Sequence, residues 1–136
     1  MDKQTRIDLC LYRLSKAEKF LNDAKATLAM ELYETAANRS YYAVFHAVRA
    51  LLALDGKDFK KHSGVISYFQ REYIKTGIFG KDFSDILKDA FSLRTDSDYE
   101  DFYVVACEDV ETQVVSAEKF YNEIKRYIKS KVATEL

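Results

Sequence analysis

The sequence predicts an all-α protein, and three observations carry that prediction. The 136-residue chain has no proline and only 4 glycines, so both common helix breakers are scarce. Apolar residues recur every three or four positions along several segments, with charged residues between them. No segment has a convincing strand pattern. We therefore expect a bundle of four to five helices that forms a single domain over residues 1–136.

The first two helices are predicted from the positions of apolar side chains. Over residues 5–30 these side chains follow the 3/4 spacing that lines one face of a helix. Residues 31–34 make a short break, and a second helix is expected over 35–54. That segment is apolar on most faces, which predicts that it is the central helix of the bundle. Gly56 follows it and suits a left-handed cap at the helix C-terminus.

Three further helices are predicted in the rest of the chain. Ser63 can cap a third helix that continues to Gly77, since a serine side chain can accept a hydrogen bond from a free amide of the first turn. A fourth helix is expected over 82–93. The polar and acidic residues 95–98 then break the pattern and are predicted to form a loop. The last helix, over 104–131, ends in lysines and arginines that suit the helix dipole.

Charge and composition exclude several classes of function. The net charge is −1 and the pI is about 6.1, so bulk charge does not predict a general polyanion binder. No apolar run approaches the roughly 18 residues of a membrane span, and the N-terminus does not resemble a signal peptide. We therefore expect a soluble, cytoplasmic protein that binds no membrane. Aromatic residues make up 14% of the chain, which indicates a large aromatic core, an apolar patch for self-association, or both.

Motifs for metals, cofactors and disulfides are missing from the sequence. There is no HExxH motif, no Cys/His cluster and no glycine-rich phosphate loop, so neither a metal ion nor a cofactor is expected. The acidic residues within 96–101 are better explained by a solvated loop than by a cation site. Cys10 and Cys107 stand far apart without a CxxC spacing, and we expect free thiols in a reducing compartment.

Arg39 and His46 form the candidate site. They are seven residues apart in the predicted central helix, close to two turns, so they share one face with Cα atoms about 10 Å apart. A fixed cation beside a group that titrates near neutral pH is suited to phosphate esters. Two structural alternatives remain: Arg39 can form an ion pair with an acidic residue of 95–101, and His46 can be a hydrogen-bonded core histidine. His62, beside two lysines, is expected at the surface.

Three runs of sequence together resemble one known family. The run NRSYYAVFHAVRALL at 38–52 resembles the central helix of HEPN domains, and more narrowly that of the small stand-alone prokaryotic HEPN proteins. KHSGVISYF at 61–69 and RTDSDY at 94–99 are similar to later segments of the same group, so the resemblance covers nearly the whole chain. It implies an all-α, up-and-down helical bundle that forms a homodimer, often with a nucleotidyltransferase-type antitoxin encoded alongside. The aromatic face of the central helix is the expected dimer interface.

The resemblance also implies a chemistry. Family members that cleave RNA carry an arginine followed by a polar residue, and then a histidine; Arg39, Ser40 and His46 match this pattern. The implied function is a metal-independent RNA endonuclease, the toxin component of a toxin–antitoxin module. His46 acts as general base or acid at the ribose 2′-hydroxyl, and Arg39 stabilises charge on the scissile phosphate. The alternative is a non-catalytic module that binds nucleotides or a nucleotidyltransferase partner.

Four further residues are expected to support the site or bind substrate. Asn38 and Tyr42 share the helical face of the arginine and the histidine by 3/4 spacing. Arg94 and Tyr99 are expected to line the same cleft, because a polar break in a bundle can reach a site without disturbing the core. Some family members carry a tyrosine that is adenylylated two residues after the histidine. This position is Val48 here, so modification at that position is not expected, and Tyr42 and Tyr99 remain chemically possible targets.

Overall fold

The computed structural model describes residues 1–101 and 103–135. These residues contain five α-helices and no strand. The helices are α1 (Lys3–Ala29), α2 (Tyr33–Leu54), α3 (His62–Phe69), α4 (Lys81–Tyr99) and α5 (Cys107–Glu135). Helix α3 continues directly into one wide π-helical turn, Gln70–Ile74. The elements pack as a bundle, and the predicted all-α class is confirmed.

Helix α2 is the centre of the bundle, as its apolar sequence predicted. It packs against α1, α4 and α5, and nearly all its side chains from Ala43 to Ala53 are buried. Tyr41 and Phe45 are also buried, inside a core shared with α1, α4 and α5. Much of the aromatic face that we expected to form a dimer interface is therefore buried in the core of a single chain.

Local capping fixes the ends of α1 and α2. The Asp2 side chain accepts a hydrogen bond from the Thr5 amide at 2.8 Å, which satisfies one free donor at the start of α1. Gly56 has a φ of 73°, which is the left-handed conformation that the sequence predicted for the cap of α2. Between α1 and α2, Glu31 has a φ of 62°, a conformation that few residues other than glycine adopt.

The prediction of a loop over 95–98 was wrong, because α4 continues through these residues. Ser97 donates a hydrogen bond from its hydroxyl to the Leu93 carbonyl at 2.7 Å, and Arg94 pairs with Asp98 one turn later at 3.0 Å. Both contacts use polar side chains to support the helix they belong to. The composition of residues 95–98 predicts a loop, but their polar side chains stabilise the last turns of α4 instead.

Two other boundaries also differ from the prediction. Helix α3 begins at His62 with Lys61 in the capping position, so Ser63 lies inside the first turn and does not cap it. Helix α5 begins at Cys107 rather than at residue 104. Cys107 is half-buried, Cys10 is buried, and both thiols are free. None of the helices in the described ranges is long and apolar enough to cross a membrane.

Candidate functional site

The His46 ring packs against a set of aromatic rings at the contact between α1 and α2. It is 7% exposed and stacks on Phe20 of α1, with ring centroids 5.2 Å apart and planes inclined by 9°. Tyr42, one turn earlier on α2, stacks on it at 6.0 Å, and Phe45 meets it edge-on at 5.8 Å. These three rings hold the imidazole in one orientation.

The surroundings of His46 favour its neutral form. The pKa of His46 is lowered to about 4, first by burial and then by the positive charges of Lys16, Arg49 and Arg13. Nδ1 is buried and has no hydrogen-bond partner, so His46 is not the hydrogen-bonded core histidine of the structural alternative. A neutral imidazole can accept a proton, and it becomes a stronger base when a bound phosphate neutralises the nearby cations.

The Arg39 side chain is half-buried and is not paired with a carboxylate in the described part of the chain. Its Nη1 donates to Asn38 Oδ1 at 2.8 Å, and its Cζ lies 5.9 Å from the centre of the Phe20 ring. The acidic contact that we allowed for Arg39 is made by its neighbour instead, because Asn38 Nδ2 donates to Asp98 Oδ2 at 3.4 Å. Arg39 therefore keeps most of its donors for a ligand.

A groove of about 630 Å³ runs along α1 beside Arg39. Lys16, Lys19 and Arg39 contribute three positive charges to it, and Asp23 contributes one negative charge. The excess of positive charge suits an anionic ligand. The full set of lining residues is Tyr12, Ser15, Lys16, Lys19, Phe20, Asp23 and Arg39.

Arg94 joins the end of α4 to the same face of α2. Its Nη2 donates to the Tyr42 hydroxyl at 3.0 Å, and its guanidinium lies 5.4 Å from the centre of the Tyr42 ring. Its Nε is 3.0 Å from Asp98 Oδ2, an ion pair by distance although the two atoms are not aligned for a hydrogen bond. Tyr99 packs on the guanidinium at 5.5 Å and is otherwise exposed. The structure thus brings Arg94 next to Tyr42, while Tyr99 reaches this face through Arg94.

Of the predicted site residues only Arg39 lines the groove, and Ser40 lies in the core of the bundle. It is fully buried, and its hydroxyl donates to the Ala37 carbonyl at 2.9 Å within α2. A hydroxyl that is bound to its own helix backbone cannot meet a ligand in this arrangement. The polar residue that follows the arginine in the sequence pattern therefore faces the core of the bundle.

His62 is half-buried at the start of α3 and contacts the site residues, which the predicted surface position did not indicate. Its Nδ1 is 2.8 Å from the Tyr41 hydroxyl, and its ring centroid is 4.2 Å from that of Phe45. Burial lowers the pKa of His62, and Arg94 and Arg49 lower it further. The two preceding lysines favoured an exposed position. The apolar residues that follow in α3 are the signal that could have placed its first turn against α2.

Metal-binding geometry is not present among the residues that the structure describes. No group of three or more His, Cys, Asp or Glu side chains is close enough together there to hold an ion. The acidic residues at the end of α4 are engaged by Arg94 and Asn38 instead, through Asp98. The site consists of the buried His46 imidazole, the aromatic rings that pack against it, and several cationic side chains.

Comparison with known proteins places this arrangement in a family. The family model of the HEPN domain matches residues 11–127. A UPF0332 protein of Thermotoga maritima is 38% identical over 117 residues, which cover 86% of this chain and 89% of that protein. Two proteins of Methanocaldococcus jannaschii, each named "Putative toxin", are 33% and 34% identical, matching 87% and 83% of this chain over 80% and 84% of their own lengths. The chain therefore belongs to the HEPN domain family.

Proposed function

We propose that this protein is a metal-independent RNA endonuclease and the toxin component of a HEPN/nucleotidyltransferase module. The observation that carries the proposal is that Arg39 and His46 contact the same Phe20 ring, next to a groove with the additional cations Lys16 and Lys19. A titratable group and a fixed cation then meet one phosphate together. The toxin names of the two Methanocaldococcus relatives support the second part of the proposal.

The proposed chemistry uses the RNA's own 2′-hydroxyl as the nucleophile. His46 accepts the proton of that hydroxyl while its oxygen attacks the adjacent phosphorus. Arg39 stabilises the negative charge that accumulates on the phosphoryl oxygens. The bond from phosphorus to the 5′-oxygen breaks, and that oxygen takes up a proton. The products are a 2′,3′-cyclic phosphate and a 5′-hydroxyl, so DNA, which lacks the nucleophile, is not cut.

The proposal includes a homodimer with one composite site, to which each subunit contributes an Arg39–His46 pair. Two Arg39–His46 pairs that face each other supply more positive charge to the RNA than the pair of one subunit. The His46 imidazole of the second subunit can then donate a proton to the leaving 5′-oxygen. A nucleotidyltransferase-type antitoxin is the proposed second partner. The toxin name of the Methanocaldococcus relative supports an antitoxin partner, and its nucleotidyltransferase class rests on the family resemblance alone.

A second candidate function is favoured by one observation. His46 is only 7% exposed in the single chain, and its pKa is about 4, well below that of an efficient base at neutral pH. A protein of this kind can bind nucleotides, or serve as the helical partner of a nucleotidyltransferase, without cleaving RNA. In that case the cations of the groove bind phosphate and His46 contributes packing.

The test is cleavage of single-stranded RNA in the presence of EDTA by purified wild-type protein and two variants. We expect His46→Ala and Arg39→Ala each to lose about 10²–10⁴-fold in cleavage rate, the usual effect of removing a general base or an electrostatic stabiliser. Lys129→Ala, on the exposed face of α5, is the matched control and keeps full activity. The 3′ ends of the products are examined for the cyclic phosphate.

Three results would contradict the proposal. These are cleavage of DNA as efficient as that of RNA, a requirement for a divalent cation, and full activity of the His46→Ala variant. Circular dichroism and thermal unfolding of each variant show whether the fold is retained. If the wild type cleaves no RNA but binds nucleotides, the second candidate function replaces the first.

A further inference from the structure

A second cleft, separate from the groove beside Arg39, opens at the loop between α2 and α3. It has a volume of about 540 Å³ and is lined by Phe45, Arg49, Asp58, Phe59, Lys60 and His62. Phe45 connects it to the candidate site, because its ring lies 5.8 Å from that of His46 and 4.2 Å from that of His62. A ligand that occupies this cleft is therefore a neighbour of one bound at His46.

Phe59 gives the cleft an exposed aromatic surface that is held in place. The residue is 39% exposed, and its ring packs on Tyr68 with centroids 5.8 Å apart. It also lies directly over Gly64: a Cβ at position 64 would be 3.0 Å from Phe59 Cβ and 3.1 Å from Cγ. A larger residue at this position would push the ring outward by a few tenths of an ångström. A fixed aromatic face that is open to solvent is the usual platform for a nucleic-acid base.

The tautomer of His62 is set by Tyr41. The Tyr41 side chain is fully buried, and its hydroxyl has one hydrogen-bond partner in the described ranges, Nδ1 of His62. The buried hydroxyl must donate its proton to that nitrogen, which leaves the proton of the neutral imidazole on Nε2. His62 therefore offers an N–H donor to the cleft that it lines.

Two cations complete the polar side of the cleft. Lys60 is exposed and forms no ion pair with any described residue. Arg49 Nη2 pairs with Asp58 Oδ1 at 3.5 Å, and Arg13 Nη2 pairs with Oδ2 of the same carboxylate at 3.1 Å, so Asp58 is neutralised by two arginines. A guanidinium has five N–H donors, and only Nη2 of Arg49 is paired with a carboxylate among the described residues. Positive charge and an imidazole N–H beside an aromatic surface match the phosphate and the base of one nucleotide.

We infer that this cleft is a subsite for a single nucleotide, with the base stacked on Phe59 and the phosphate bound by Lys60, Arg49 and His62 Nε2. The inference rests on the proposed function in one respect, since RNA is the expected source of the nucleotide. In a bound RNA, the nucleotide in this cleft lies next to the scissile phosphate, because the Phe45 ring, which lines the cleft, also contacts His46. A free nucleoside monophosphate has the same chemistry.

The experiment measures binding of two probes by fluorescence anisotropy and NMR: a single-stranded RNA with 2′-O-methyl riboses, which cannot be cleaved by this chemistry, and AMP. Phe59→Ala should weaken binding of the RNA about ten-fold, which is typical for loss of one stacked base. Gly64→Ala, which displaces the Phe59 ring and removes no charge, should weaken it similarly. Lys60→Glu, which reverses a charge proposed to bind the phosphate, should also weaken binding. The controls Ile78→Ala, at a residue of exposure similar to Phe59, and Lys129→Glu, at another exposed lysine, should bind as the wild type does.

The outcomes separate this inference from the proposed function. Equal binding by the wild type and Phe59→Ala, or no binding of either probe by the wild type, would overturn the subsite. A long-range ¹H–¹⁵N spectrum that places the proton of neutral His62 on Nδ1 would overturn its assigned role. RNA binding that depends on Phe59 without RNA cleavage would support the subsite and refute the nuclease. Binding of AMP alone would identify a free nucleotide as the occupant.

Discussion

The stability of this protein should fall on mild acidification because of His46. Burial holds the pKa of His46 at about 4 in the folded chain, whereas its ordinary value, taken for the unfolded chain, is 6.5. The unfolded state therefore binds a proton between these two values and the folded state does not. Stability contributed by the neutral imidazole is complete above pH 6.5 and is lost as the pH falls toward 4.

The size of the loss follows from the two pKa values. At roughly 1.4 kcal/mol per pKa unit, the complete effect is about 3 kcal/mol. Most of it lies within reach of ordinary buffers, since the loss expected on going from about pH 7 to about pH 5 is roughly 2 kcal/mol. For a domain of this size that is a substantial part of the free energy of unfolding.

The assay compares urea unfolding of the wild type and of His46→Phe at these two pH values. Phenylalanine preserves the stack on Phe20 and removes the titrating group, so the variant should lose about 2 kcal/mol less than the wild type. His62 and the carboxylates titrate in both proteins and cancel in the difference. An identical pH dependence of the two proteins would refute the reasoning, as would an NMR titration that finds an ordinary pKa for His46.

Three other predictions address the neighbours of this histidine, the assembly and the core. Lys16→Ala should raise the pKa of His46, because the charge of Lys16 contributes to lowering it; an NMR titration measures the change. Light scattering of the purified protein at micromolar concentration and physiological salt should report a dimer, and a monomer would rule out the composite site. Asp55→Ala should cost about 1–3 kcal/mol in urea unfolding, because it removes Oδ2, which accepts hydrogen bonds from the hydroxyls of Tyr68 at 3.0 Å and Tyr73 at 2.6 Å.

Features that depend on local sequence were predicted with useful accuracy. The 3/4 apolar spacing over 5–30 and the mostly apolar segment over 35–54 correspond to α1 and α2, because burial of one helical face is visible as a period in the sequence. Gly56 was also predicted correctly, because a positive φ at a helix end favours glycine whatever the tertiary structure is. The proximity of Arg39 and His46 follows from helical geometry alone.

Features that depend on tertiary contacts could not be predicted in this way. The end of α4 reads as a loop, and only its contacts with α2, through Arg94 and Asp98, show why it remains helical. His62 reads as a surface residue because its buried partner, Tyr41, is 21 positions away. Ser40 matches the position of the polar residue after the arginine, but the sequence does not reveal that its hydroxyl donates to the backbone carbonyl of Ala37.

The wide turn after α3 explains how two tyrosines can share a single acceptor. Residues five apart in an ordinary α-helix, such as Tyr68 and Tyr73, point in quite different directions, since about 3.6 residues complete a turn. The π-helical segment at 70–74 closes on a bond from the Lys75 amide to the Gln70 carbonyl, five residues back. This turn contains one residue more than a regular α-helical turn, and it brings the hydroxyls of Tyr68 and Tyr73 to the same Asp55 oxygen. Deleting one residue here would restore a regular helix and yet disconnect it from the end of α2.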